Sequence, residues 1–249
     1  MTIIDVSRLE HREINERLRS VSGDCIIEGC IGQRFIAAGM SGKNITIDGI
    51  PGNALGAYLN GAVINVNSNA QDAVGDTMND GKIVIHGSIG DAAGYAMRGG
   101  KIYVRGDAGY RAGIHMKEYR DKIPVMIIGG KTGSFLGEYQ AGGIIIVLDI
   151  DQSDHSAEFN GRKRQIVGNF PCTGMHGGRL YLRGTAGGIV FPKNVCVNPA
   201  GPDDIEVLSR ELSDYCAAFG LELDDILDSP FTVVTPDSKN PYKQMYVAN

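Results

Sequence analysis

The side chains of this 249-residue chain with the clearest capacity for chemistry are its histidines and cysteines. Metal sites draw on these residues at short spacings, such as H-x-x-x-H or C-x-x-C. Neither spacing occurs among His86, His115, His155 and His176 or among Cys25, Cys30, Cys172, Cys196 and Cys216. An odd number of scattered cysteines suits reduced thiols in a cytoplasm. The segment Gly90–Gly100, GDAAGYAMRGG, has the glycine content of a phosphate-cradling loop, in which backbone N–H groups hold an anion. Such a loop follows one strand, opens one helix and occurs once. Here the glycines recur along the chain, so the segment is read as a tight structural corner, with an anion site as the alternative. No P-loop, dinucleotide fingerprint or nucleophile elbow is present, and Arg105–Asp107 (RGD) reads as turn chemistry. The expectation is that this chain holds no catalytic residue, no cofactor and no metal.

The elements that would position these residues come from a repeat, G-x-x-x-G-x-x-M-x-G-G-x-I-x-V-x-G, clearest at Gly90–Gly106. Its marker falls at Met40, Leu59, Met78, Met97, Met116, Gln140 and Met175. The first four gaps are 19 residues, the fifth is 24 and the last 35. The fifth gap implies a five-residue insertion within Lys117–Pro124, and the last an excursion over Ile150–Gln165. A fixed period of this size marks a solenoid.

Five and seven residues beyond the marker stand aliphatic pairs: Ile45/Ile47, Ile64/Val66, Ile83/Ile85, Ile102/Val104, Ile145/Val147 and Leu180/Leu182. Met126 and Ile128 fill these roles in the inserted rung. This alternation predicts one short strand per rung with one buried face. Thr46, Asp48, Asn65, Asn67, His86 and Arg105 fall on the outer face, where a solvated surface is expected. Three residues before the marker stands a small residue: Ala37, Gly56, Gly75, Gly94, Gly113, Gly137 or Cys172. Just after it come glycines, paired at Gly99–Gly100, Gly142–Gly143 and Gly177–Gly178. Both are read as corners between stacked strands. Cys172 is then a buried small side chain, and His176 occupies a variable corner position.

The expected fold is all-β: a right-handed parallel β-helix of about seven rungs, with short N-terminal and C-terminal helices. Crossover handedness favours the right hand, and a left-handed hexapeptide coil would need more aliphatics per rung. The calcium-binding nonapeptide motif does not appear. Residues 1–28 are expected to form an N-terminal helix and cap, 29–199 the β-helix, and 200–249 a C-terminal helix and extended tail. Ser7–Val21 predicts the first helix, with Ser7 as N-cap and Glu10 three residues on. Asp203–Phe219 predicts the second, expected to cover the last rung, because an uncapped solenoid end is an open sheet edge.

A net charge of −5, a pI near 5.5 and the lack of tryptophan argue against nucleic acid as the main partner. No apolar run reaches the length of a membrane span, and the charged N-terminus does not read as a signal peptide. A cytoplasmic location is expected. Two features depart from a plain solenoid. The outer strand positions turn apolar at Ile127, Ile146 and Leu148, which marks them as a candidate interface with a partner or with another part of the chain. The insertion and the basic run Asn160–Gln165 protrude from a regular scaffold; such protrusions commonly bind, while a plain solvated charge run is the first reading of Arg162–Arg164.

GDAAGYAMRGGKIYVRGDAGYRAGIHM, GGKTGSFLGEYQAGGIIIVL and VGNFPCTGMHGGRLYLRG together resemble the GXGXG domain of glutamate synthase, over about Gly29 to Pro199. In the large-subunit enzymes that domain is a C-terminal right-handed β-helix without catalytic residues. Residue 2 is Thr2 and no cysteine precedes Cys25, so no N-terminal amidotransferase nucleophile is present. The resemblance implies a stand-alone structural and coupling subunit of an amidotransferase–oxidoreductase complex, making glutamate or N-methylglutamate. Its implied partners are a glutaminase subunit and a synthase subunit carrying FMN and an iron–sulfur cluster. In isolation such a chain is free to form a homo-oligomer. One alternative is the glycine-rich β-helix subunit of formylmethanofuran dehydrogenase, which resembles the regular rungs. Another is a self-contained β-helix enzyme such as an acyltransferase.

Overall fold

In the computed structural model, residues 1–150 and 165–238 are described, together with the backbone of two short strands between them. The strands are β1 (Thr2–Asp5), β2 (Cys25–Ile31), β3 (Asn44–Ile50), β4 (Asn60–Val66), β5 (Asp80–Ile85), β6 (Lys101–Val104), β7 (Val125–Ile128), β8 (Ala141–Val147), β9 (Glu158–Phe159), β10 (Arg162–Lys163), β11 (Gly177–Arg183), β12 (Val195–Pro199) and β13 (Phe231–Pro236). The helices are α1 (His11–Ser20), α2 (Pro202–Phe219) and α3 (Leu223–Leu227). Strands β1 to β8 and β11 stack in parallel, and β13 and β12 continue the same sheet antiparallel. The chain is a parallel β-solenoid.

The predicted inner ladder holds residue for residue. Ile45, Ile64, Ile83, Ile102, Met126, Ile145 and Leu180 are consecutive register partners, and all are fully buried. The Ile102↔Met126 pairing places the insertion after β6, as the 24-residue gap requires. The marker column from Met40 to Met175 is buried too, including Gln140, whose amide donates to the Gly142 and Gly143 carbonyls. A second, minimal ladder runs through Ala70, Ile89, Ala108, Thr132 and Val167, one bridge per turn.

Between that bridge and the marker each coil turns a corner in which left-handed residues alternate. They are Ala54, Gly56 and Tyr58 in one turn, Ala73, Gly75 and Thr77 in the next, and Arg111, Gly113 and His115 further on. The hydrogen bonds explain the alternation. Ala54 and Tyr58 donate to Asp72 and Asp76 of the following turn, while Gly56 donates to Ile36 of the preceding one. Side chains at the outer two positions point away from the core. The middle position faces inward: a Cβ on Gly75 would lie 2.5 Å from the Ile102 Cδ1. That slot therefore takes only glycine, alanine or cysteine.

Asparagine, aspartate and serine stitch the next corner. Asp72 Oδ1 accepts from Asp91 N–H and Asp91 Oδ1 from Tyr110 N–H, each 19 residues on. Asn69, Ser88 and Asp107 form a second such ladder. Asp107 of the RGD run therefore serves as an inter-turn acceptor.

Both ends differ from expectation. The first helix begins at His11, not Ser7, and Glu10 precedes it without a side-chain cap. Residues before it extend the sheet instead: Thr2–Asp5 pairs with Cys25–Glu28, and Val6 N–H still bonds the Glu28 carbonyl. Helix α1 does close the first turn. Ile14 and Leu18 enter the core, and the Asn15 side chain bonds the Phe35 carbonyl and the Ala38 N–H. At the other end the edge is covered by β13, from the segment expected to be an extended tail, and not by α2. Residues 239–249 of that tail lie outside the described residues.

Gly99 tests the corner assignment. Its Cβ would stand 2.5 Å from the Asn79 carbonyl oxygen and 3.0 Å from Lys122 Cβ, so backbone has to move. Gly99→Val should lower stability by about 1–3 kcal/mol, the usual cost of overpacking. Thermal unfolding of the two proteins checks this, and an unchanged melting temperature would contradict it.

Candidate functional site

Three surfaces of the stack are candidates for a site. The first is the outer face of the later strands. Ile127, Ile146 and Leu148 are completely buried there, in one cluster with Val84, Tyr103 and Tyr181 of the sheet and Leu208, Leu212 and Tyr215 of α2. The apolar outer positions thus bury the amphipathic stripe of this chain's own helix. The contact is intramolecular, and these three residues are not open to another subunit.

Polar bonds frame the seam. Tyr215 donates from its hydroxyl to the Val104 carbonyl at 3.1 Å, and its ring meets Tyr103 edge-on. Tyr181 donates to Asp204 at 2.9 Å, and Arg179 pairs with the same carboxylate at 3.0 Å. Lys101 bridges Glu211 and Asp214 at 3.0 and 3.1 Å. His86, exposed on the outer face, meets the Phe219 ring edge-on at 5.2 Å. The outer polar ladder also bonds to itself, with Asn67 donating to Asp48.

The second surface is the left-handed corner face. Its outward positions expose aromatic rings at Phe35, Tyr58, Tyr139 and Phe170, each 39–61% exposed, and Tyr95, next to the slot glycine of its turn, is 42% exposed. Neighbouring turns stack them. His115 lies parallel to Tyr139 at 5.2 Å, Phe135 stacks on Phe170 at 5.4 Å, and the Arg111 guanidinium lies over Phe135 while pairing with Glu138. Sequence reading missed this face. Its signal, aromatic residues two positions either side of the small-residue slot, is visible only once the corner backbone is known.

The third surface is the rim from which the excursion leaves. A cleft of about 810 Å³ there is lined by four glycines together with Thr132, Ser134, Gln165 and Asn169. His155 and the side chains of the basic run up to Arg164 lie outside the described residues.

Cys25, Cys30, Cys172 and Cys216 are buried, and Cys196 is exposed. Cys172 fills the small-residue slot, and burial pushes it up to about 12. Burial likewise pushes Cys30 up to about 11. His176 donates from Nδ1 to the Gly174 carbonyl in its corner, at 3.0 Å. Among the described residues no group of three histidine, cysteine or acidic side chains could hold a metal. None of their helices is long and apolar enough to cross a membrane.

Coils with one strand, a glycine corner and a stacked inner ladder define a glycine-repeat β-solenoid. Residues 6–187 match the GXGXG motif family, and the chain belongs to it. It is also similar to Uncharacterized protein MJ1350 of Methanocaldococcus jannaschii, with 41% identity over 255 residues that span 98% of this chain and 95% of that protein.

Two predictions test the seam beneath α2. Ile146→Asp places a carboxylate among buried apolar side chains and should destabilise the whole fold. Melting and circular dichroism would show it, and a parental melting temperature would refute the buried placement. The second concerns pH. Burial pushes the Tyr103 hydroxyl up to about 12. Burial alone would lower Lys101, but hydrogen bonding to Glu211 and Asp214 and the charges of Tyr103 and Glu211 raise it above its ordinary value. Both groups hold their protons more tightly folded than unfolded. Their stabilisation is therefore intact below about pH 10 and is lost as pH rises toward 12. Tyr103→Phe should flatten that decline relative to the parent, and identical slopes would contradict the assignment.

Proposed function

We propose that this chain is a non-catalytic structural and coupling subunit of a glutamate synthase-like amidotransferase–oxidoreductase complex. In this reading a glutaminase subunit releases ammonia, and a separate subunit carrying FMN and an iron–sulfur cluster uses it for glutamate or N-methylglutamate synthesis. Membership of the GXGXG motif family across residues 6–187 carries the proposal. The placement of the reactive side chains supports it. Cys172 and Cys30 are buried with raised thiols, and Asp72, Asp91 and Asp107 accept backbone hydrogen bonds between turns.

Partners would seat on the corner face. Its exposed rings stand on a backbone locked by bonds to both neighbouring turns, so little ordering cost remains for docking. Aromatic side chains are enriched at interface cores for this kind of reason.

Mild affinity purification of the tagged chain from its native cell, with mass spectrometry and a visible spectrum, tests the reading. Co-purification of a glutaminase and a flavin, iron–sulfur protein is expected. A molybdenum or tungsten pterin protein would reassign the chain to formylmethanofuran dehydrogenase. A colourless homo-oligomer without partners would favour a self-contained protein.

A further inference from the structure

The five-residue insertion is not a free protrusion. Tyr119 and Lys122 close a turn by exchanging backbone hydrogen bonds, and Lys122 reaches back to the Asn79 carbonyl and to Asp80, paired at 2.7 Å. The insertion therefore folds down across Gly99 onto two earlier turns. Beneath it lies a cleft of about 520 Å³, walled by the Tyr58 and Tyr119 rings. This volume is in the range of small-molecule sites.

The cleft's polar groups form a column. Asn60, Asn79 and Arg98 occupy the same position in consecutive turns, 19 residues apart, and adjacent strands set a rise of about 4.8 Å. Among the described residues the Arg98 side chain has no ion pair or hydrogen bond, although its Nε is sealed from solvent. With Nε out of reach, the two terminal Nη groups of Arg98 are the donors left for the cleft. Arg120 lies over the Tyr119 ring and adds a second cation. Lys122 is offset by Asp80, and Asp121 also lines the cleft. Two arginines against the one remaining carboxylate leave the cleft net positive.

We propose that this cleft is a binding site for a small oxyanion, a carboxylate or a phosphate. Arg98 supplies the forked donor that such groups accept in bidentate fashion. Asn60 and Asn79 extend the donor column, and Arg120 with Tyr119 closes the mouth. The site is independent of the coupling function proposed above.

Isothermal titration calorimetry of the full chain with inorganic phosphate, and separately with malonate, in chloride-matched buffer tests it. Saturable binding of one molecule per chain is expected for at least one probe, and the tighter probe assigns the group. Arg98→Gln should weaken that binding at least tenfold and Arg120→Gln less, while Lys193→Gln, outside the cleft, should leave it unchanged. The Arg98 side chain has no partner to lose among the described residues, so parental melting of Arg98→Gln is expected and makes the comparison valid. Arg120→Gln, at an exposed position, provides a second route. No saturable binding of either probe, or undiminished binding to Arg98→Gln, would overturn the proposal.

Discussion

The rest of the structure depends on one backbone device, the corner in which left-handed residues alternate three times per turn. A left-handed conformation costs roughly 1–2 kcal/mol for each residue with a Cβ. A typical net hydrogen bond contributes about 0.5–1.5 kcal/mol. Each corner sends N–H groups alternately to the turn ahead and the turn behind, so its strain is offset only when both neighbours are in place. A single turn has no reason to adopt this shape. The stack is therefore cooperative along its axis, and both ends need substitutes for a missing neighbour. Asn15 supplies hydrogen bonds at the first turn, and β13 covers the open edge at the last.

This device also decides what the sequence made legible. The inner strands were readable because each aliphatic pair repeats at a fixed spacing and faces a core that admits nothing else. The middle corner position was readable for the same reason: it points at an isoleucine tip and excludes most side chains. Its two flanking positions were not. They are as left-handed as the middle one but face outward, so Ala, Tyr, Phe, Arg, Thr and His all occur there. Residue type carries no trace of backbone strain where side-chain space is open.

The helices and terminal strands show a second limit. The stripe Leu208, Leu212, Tyr215 announced that α2 would be buried, and Ile127, Ile146 and Leu148 announced that the outer sheet would be covered. Each pattern states that a partner exists without saying which, and joining them needs the return path of the chain in space. β1 and β13 are short strands whose pairing is non-local, so four to six residues gave too little alternation to read. At Ser7 the local capping signal lost to the sheet, because residues 2–6 gain ladder bonds with the first full turn.

Covering one face and leaving another bare gives the solenoid a direction. Helix α2 seals the sheet from Val84 to Tyr181 and is held there by Lys101, Arg179 and Tyr215. Among the described residues the corner face has no such cover, and it presents its rings on backbone that cannot relax without breaking bonds to two turns. A ring held in this way loses little freedom on contact, so its burial is retained as affinity rather than spent on ordering. The insertion bends this rule at one place, by roofing a column of donors that would otherwise meet water. A rigid, one-sided stack with a fixed rise per turn fits the coupling role proposed above, in which the chemistry would belong to the proteins held and the geometry to this chain.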